Sequence, residues 1–339
     1  MAYPLKPLCS LQLVKSVTTL TRAFEGALSL LRTCAHARLG EKVLIVTDSE
    51  TDAAIARTIM AAATQLGLET VAITMRTRIL PGDEPPRPVV AAMLSSDVII
   101  CPTSRTLFHT IARTDACARG ARFISMAGAT MAVLASPAMF ADFDKQGRVL
   151  KKMKEELTHA KQITVTNPAG TDLRLSVLGR RGHAITGICR QRGDATGVPD
   201  IEAYIAPLED STNGALVIDG STSVTGLVKQ PLRIDIKQGI ARTISGGPEA
   251  RRLLRILRGA KSRRAFRVGE FGIGLNPLAR VRGAIIEDEA ALGTAHVALG
   301  DNHRFGGKID VPIHIDMVLK RAHVELDGKT VLDGKRLVL

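Results

Sequence analysis

Short β-branched runs alternate with helical stretches along the first part of the chain, and that alternation constrains its fold more than any other feature. Leu11 to Arg38 carries apolar residues at helical intervals, Lys42-Val-Leu-Ile-Val-Thr47 is too short for a helix, and Thr51 to Leu66 is alanine-rich and helical. Thr70 to Thr74, Asp97 to Cys101 and Ala121 to Ser125 follow as further short, buried-looking runs. Strands alternating with helices imply right-handed crossovers and a parallel sheet. The expectation is an α/β fold whose residues 1–160 form a Rossmann-like or flavodoxin-like domain. Its first strand-to-helix turn, Thr47-Asp48-Ser49-Glu50-Thr51, has neither Gly-x-Gly-x-x-Gly nor a phosphate loop. Asp48 or Ser49 is expected to cap the next helix, and the domain to act as scaffold and dimer contact.

A charged helical segment, Gln146 to Lys161, leads into a different texture. Ile163 to Thr166, the turn Asn167-Pro-Ala-Gly170 and Asp172 to Val177 read as a hairpin. Further short strands fall at Ala215 to Asp219, Leu232 to Ile236 and Ala322 to Leu326. Residues 161–339 are therefore expected to form a second, α+β domain that is mainly antiparallel and carries the chemistry.

The chain has 339 residues, enough for two such units. No apolar run of about 18 residues occurs, so no membrane span is expected, and Met-Ala-Tyr-Pro-Leu-Lys-Pro does not read as a secretory leader. Five scattered cysteines without a Cys-x-x-Cys pair argue against a disulfide framework or a thiolate zinc site and suit a reducing cytoplasm. Cys101 reads as a buried structural thiol. The net charge of +13 would suit nucleic acid, but aromatic residues make up 3% of the chain and tryptophan is absent, leaving little to stack on bases. The densest basic stretch, Arg251 to Arg264, has leucines at helical spacing and reads as an amphipathic helix with a solvated basic face.

Between Glu270 and Asp316 lie Gly-Glu270-Phe-Gly-Ile-Gly, His296, His303 and His314-Ile-Asp316. Imidazole and carboxylate are ligands of zinc, cobalt, manganese and iron(II). In a strand, His314 and Asp316 present both ligands from one face. Glu270 sits among glycines and apolar residues, an expensive place for an unpaired charge. The run Glu287-Asp288-Glu289 reads as solvated, and His323 has no assigned role.

Pro199-Asp-Ile-Glu202, Gly269-Glu270-Phe-Gly-Ile-Gly274, Gly293-Thr-Ala-His296 and Ile313-His314-Ile-Asp316, in this order, resemble the aminopeptidase T and aminopeptidase S family of metallopeptidases. The resemblance covers most of residues 163 to 339. It implies a homodimer with two divalent ions per chain, zinc, cobalt or manganese. Glu202, Glu270, His296, His314 and Asp316 would be the ligands, with Glu270 bridging. A small peptide or amide would be cleaved by a metal-activated water. Glu202 or His303 would manage the proton, while Arg280, Arg282, Arg304 or Lys308 could neutralise an anionic group on the substrate. The chain departs from this pattern at His303, where those peptidases carry tyrosine, and is shorter between His296 and His314. The same fold family includes 2,5-dihydroxypyridine dioxygenase, which implies an alternative: one iron(II), an aromatic small-molecule substrate and ring opening by oxygen. That relative has a histidine where Glu270 stands here.

Overall fold

The computed structural model describes the backbone of residues 8–339 and side chains from residue 17 onward. The N-terminal leader reading and the Cys9 side chain lie outside the described residues. The first part holds α1 (Leu8–Ser29), β1 (Lys42–Asp48), α2 (Ala53–Gln65), β2 (Glu69–Met75), α3 (Arg87–Leu94), β3 (Val98–Cys101), α4 (Ile111–Ala118), β4 (Arg122–Ser125), α5 (Met131–Leu134) and α6 (Phe143–His159). From residue 162 strands dominate. They are β5 (Gln162–Thr166), β6 (Asp172–Ser176), β7 (His183–Ile185), β8 (Ala195–Gly197), β9 (Glu202–Ile205), β10 (Asn213–Ile218), β11 (Ser221–Thr222) and β12 (Gly226–Leu227). β13 (Leu232–Lys237), β14 (Ile240–Ser245), β15 (Val268–Gly274), β16 (Thr294–Gly300), β17 (His314–Lys320), β18 (His323–Leu326), β19 (Lys329–Asp333) and β20 (Arg336–Leu337) follow, with α7 (Pro248–Gly259) and α8 (Ile285–Asp288) between them.

The parallel sheet has the order β2-β1-β3-β4-β8. Val43 and Ile45 face one core cluster while Leu44 and Val46 face another, so continuous apolar runs arise because both faces are covered. β2 is the exception: as the edge strand it exposes Val71, although its composition reads as buried. β8, from the second half of the chain, completes this sheet beside β4. Two antiparallel sheets account for the remaining strands, in the orders β14-β13-β10-β6-β5-β18-β19-β20 and β12-β11-β17-β16-β15-β9-β7. The mixed α/β architecture agrees with the sequence reading.

Local chemistry sets the element ends. Asp52, not Asp48 or Ser49, caps α2 by accepting from Ala54 N at 2.8 Å. Asp48 instead ties the end of β1 to the loop after β3, accepting from the backbone and hydroxyl of Ser104 at 2.8 and 2.7 Å. α7 buries Ala250, Leu253 and Leu257 and leaves Arg251, Arg252, Arg255 and Arg258 exposed, as its pattern predicts. Cys34, Cys101, Cys117 and Cys189 are free and buried, and burial raises the Cys101 thiol far above its ordinary range. Among the described residues no helix is long and apolar enough to cross a membrane.

Candidate metal centre

Four neighbouring strands, in the order β17-β16-β15-β9, bring the candidate ligands together. Side chains two apart share a strand face, and the antiparallel register aligns those faces. Glu202 lies opposite Gly274, Gly272 opposite His296, Ala298 opposite both Glu270 and Asp316, and Gly300 opposite His314. Small residues thus alternate with the candidate ligands. A Cβ on Gly272 would stand 2.1 Å from His296 Cε1, so the imidazole occupies the space a side chain would take.

Glu270 is the hub. His296 Nε2 lies 3.3 Å from its Oε1 and His314 Nε2 lies 3.3 Å from its Oε2, so each carboxylate oxygen meets a different imidazole. Glu202 Oε2 is 3.5 Å from His296 Nε2, and Asp316 Oδ1 is 3.0 Å from His314 Nε2. His314 Nδ1 donates to the Asp301 carbonyl at 2.7 Å, which leaves Nε2 directed at the carboxylates, the orientation a metal ligand needs. Buried and without a hydrogen-bond partner are Glu202 Oε2 and His296 Nδ1. Two imidazoles and several carboxylates with unused lone pairs fit a divalent metal.

The electrostatics follow from burial and crowding. Burial alone would raise Glu270, but hydrogen bonds from His296 and His314 outweigh it and hold the carboxyl at about 2. Burial pushes Glu202 up to about 7, against the attraction of His296. Burial would lower His296, yet the charges of Glu202 and Glu270 carry it to about 9. His314 is likewise raised well above its ordinary value, because Asp316 and Glu270 overcome its burial. Without metal, the two imidazoles hold protons among the carboxylates.

The five sequence-predicted ligands therefore converge, and His303 does not join them. It stands on the turn His303–Phe305, partly exposed, with Nδ1 at 2.6 Å from Asp301 Oδ1 and 3.9 Å from Asp310. His323 lies in a different sheet, 3.4 Å from both Glu325 and Asp333. Arg280 and Arg282 line a separate cavity with Arg22 and Pro137, in which no candidate ligand takes part.

The first two residues of the acidic run are not solvated, and Glu289 is half-buried. Glu287 and Asp288 are buried, because a one-turn helix at this position faces inward: Glu287 Oε1 accepts from Ser136 at 2.6 Å and from Arg280 N at 3.1 Å. Asp288 accepts from Arg282 N at 2.6 Å and Gly283 N at 2.8 Å. Glu289 turns toward Asp200 and Glu202.

Sequence reasoning also missed an aromatic wall. His183 stacks on Tyr204 with centroids 5.3 Å apart, and Phe305 meets Tyr204 edge-on at 5.5 Å and His314 at 6.0 Å. Tyr204 follows Glu202 by two residues in one strand, a spacing that carried the signal. His109, from the loop after β3, is pushed down to about 4, mainly by burial and then by the charges of His314 and Arg304. That loop leaves the carboxyl end of the parallel sheet, where open α/β folds place their ligands.

The family model described as NicX, 2,5-dihydroxypyridine 5,6-dioxygenase, matches residues 19–339. A 2,5-dihydroxypyridine 5,6-dioxygenase of Pseudomonas putida KT2440 is 27% identical over 190 residues, 52% of this chain and 54% of that protein. The match thus spans about half the length of that curated relative. The solved structure of 2,5-dihydroxypyridine dioxygenase from Pseudomonas putida KT2440 is similar with a TM-score of 0.74 at 21% identity, covering 94% of this chain and 96% of that one. Wild-type AmpT from Thermus thermophilus gives 0.65 at 15% identity, covering 94% and 99%. At these identities the structural likeness shows a shared fold. The aminopeptidase resemblance is narrowed accordingly: the fold is common to both, and the family match falls on the dioxygenase side.

Proposed function

The chain belongs to the 2,5-dihydroxypyridine 5,6-dioxygenase (NicX) family, and from that membership we propose that it is a metal-dependent enzyme that opens a hydroxylated heteroaromatic ring with oxygen. The observation that carries this reading is the aromatic wall of His183, Tyr204 and Phe305 set directly against His314. Rings of this kind stack or meet edge-on at such spacings, so the wall suits a flat substrate beside the ligands. His314, Asp316, Glu270 and His296 would hold one iron(II) with two imidazoles and two carboxylates, one carboxylate more than the two-histidine-one-carboxylate set usual for such iron. Iron(II) held there would supply the redox chemistry by which oxygen attacks a dihydroxylated ring.

The remaining work falls to the chain. Burial keeps the Tyr204 phenol protonated and hence a donor. His109, neutral at physiological pH, can accept a hydrogen bond from a hydroxyl of an entering ring. Phe305 rides on the turn held by Asn302, so the wall and the ligands share one support.

A second reading, cleavage of a small amide by a metal pair, is favoured by Glu270, whose two oxygens face different histidines as a bridging carboxylate would. Metal content and oxygen uptake separate the two. Protein produced without added metal is expected to carry one iron per chain and to consume oxygen with a dihydroxypyridine. Two zinc, cobalt or manganese ions at the histidine centre, with amide hydrolysis and no oxygen uptake, would replace the proposal by the second reading. Glu270→Gln is expected to lower turnover by at least about 100-fold, since the hub carboxylate acts in either case.

A further inference from the structure

Beside the histidine cluster three carboxyls meet, Asp200 and Glu202 buried and Glu289 half-buried, and the imidazole of His296, 3.5 Å from Glu202, is a single cation against the three of them. Asp200 precedes β9, Glu202 opens it, and Glu289 follows α8. One oxygen from each lies within 4.8 Å of the other two. Asp200 and Glu202 are 3% and 4% exposed, and Asp200 Oδ1 and Glu202 Oε2 have no hydrogen-bond partner. Among the described residues no lysine or arginine forms an ion pair with any of the three.

The meeting is built by the backbone. A Cβ on Gly274 would stand 2.4 Å from the Glu289 carbonyl and 2.5 Å from that of Ala291, so only a glycine lets this segment lie against β15. Gly274 is the register partner of Glu202. On the other side a Cβ on Gly197 would stand 3.2 Å from the Asp200 carboxyl.

Carboxyls crowded together in a buried place are neutralised either by taking up protons or by a bound cation, and a cation can replace those protons. Three oxygen donors without nitrogen or sulfur suit a hard ion. We propose that Asp200, Glu202 and Glu289 form a second cation position for a hard divalent ion such as Mg2+ or Mn2+, separate from the histidine centre and sharing Glu202 with it. The ion clamps the segment ahead of β9 to the segment after α8, and its presence does not depend on which reaction the histidine centre performs.

Mn2+ titration of metal-depleted protein, followed by electron spin resonance, tests this without any activity measurement. In Glu270→Gln/His314→Ala protein, whose histidine centre is broken, one Mn2+ per chain is expected to remain and to show no nitrogen modulation in its spin echo. Adding Glu289→Gln removes that ion, and adding Asp200→Asn instead does the same should the first combination fail to fold. The proposal is overturned if the double variant binds no Mn2+, if the ion survives both added substitutions, or if nitrogen modulation places it on His296. Loss of iron from the wild-type histidine centre with the Glu289-dependent ion retained would count against the functional reading alone.

Discussion

At the scale of single residues, the centre depends as much on what is missing as on what is present. His296 can lie flat against the sheet because Gly272 has no side chain, and a methyl group there overlaps the ring at 2.1 Å. The interior is close-packed and His296 is 1% exposed, so the imidazole has little room to retreat. Gly272→Ala should therefore swing the ring away from Glu270 and weaken metal binding by at least about 10-fold, the range seen when ligand-supporting groups are lost. Equilibrium dialysis against iron(II) measures this, and an unchanged affinity would show that His296 is not a ligand. Residue by residue, legibility in the sequence follows distance along the chain. His314 and Asp316 could be paired because they are two apart in one strand, and Glu270 stood out as a charge in an apolar, glycine-rich run. Asp200 and Glu289 gave no such signal, since 89 residues separate them and only the register of β9 against β15 brings them close. Glu202 and Glu270 needed the family resemblance to become a pair.

At the scale of elements, the strands that carry the candidate ligands are held by a loop. Asn302, fully buried, donates from Nδ2 to the Gly269 carbonyl at 3.1 Å and accepts from Ile309 N at 2.8 Å. It thereby fixes the turn from Asp301 to Asp310 against the bulge at the start of β15. The Asp301 carbonyl in that turn orients His314. Asn302→Ala leaves buried partners unsatisfied and should cost about 1–3 kcal/mol of stability. Urea unfolding checks the stability, and iron affinity should fall with it because the acceptor for His314 Nδ1 is released. Stability lost with full iron affinity kept would mean that the turn does not orient the ligand. The elements themselves were unequally readable. β1, β3 and β4 announce themselves as continuous apolar runs because helices cover both faces of their sheet. β15 and β16 hide, since the glycines and alanines that make room for imidazoles are poor strand formers. β8 could not be placed locally at all: its three residues join a sheet whose neighbouring strand ends 70 residues earlier.

At the scale of the whole molecule, a chain of net charge +13 surrounds an interior crowded with carboxylates. The basic surface favours approach of anionic substrates, while the interior must be neutralised by protons when metal is absent. The pH dependence of stability follows with a definite sign. His296 is raised from 6.5 to about 9, so in metal-free protein its contribution is complete below 6.5 and lost as pH rises through 9. Glu202, raised from 4.5 to about 7, acts in the same direction, its contribution fading as pH rises through 7. Glu270, lowered to about 2, contributes above 4.5 and is lost only as pH falls toward 2, outside this window. Metal-free protein should thus lose melting temperature between pH 6.5 and 9, by a fall on the order of 5 °C. Metal reverses the trend, because it binds imidazoles that have given up their protons and stabilises the folded state it occupies. Calorimetric melts across that range, with iron(II) under anaerobic conditions and without it, provide the check. The two curves should diverge as pH rises, and parallel curves would mean that the metal does not replace protons on His296 and His314.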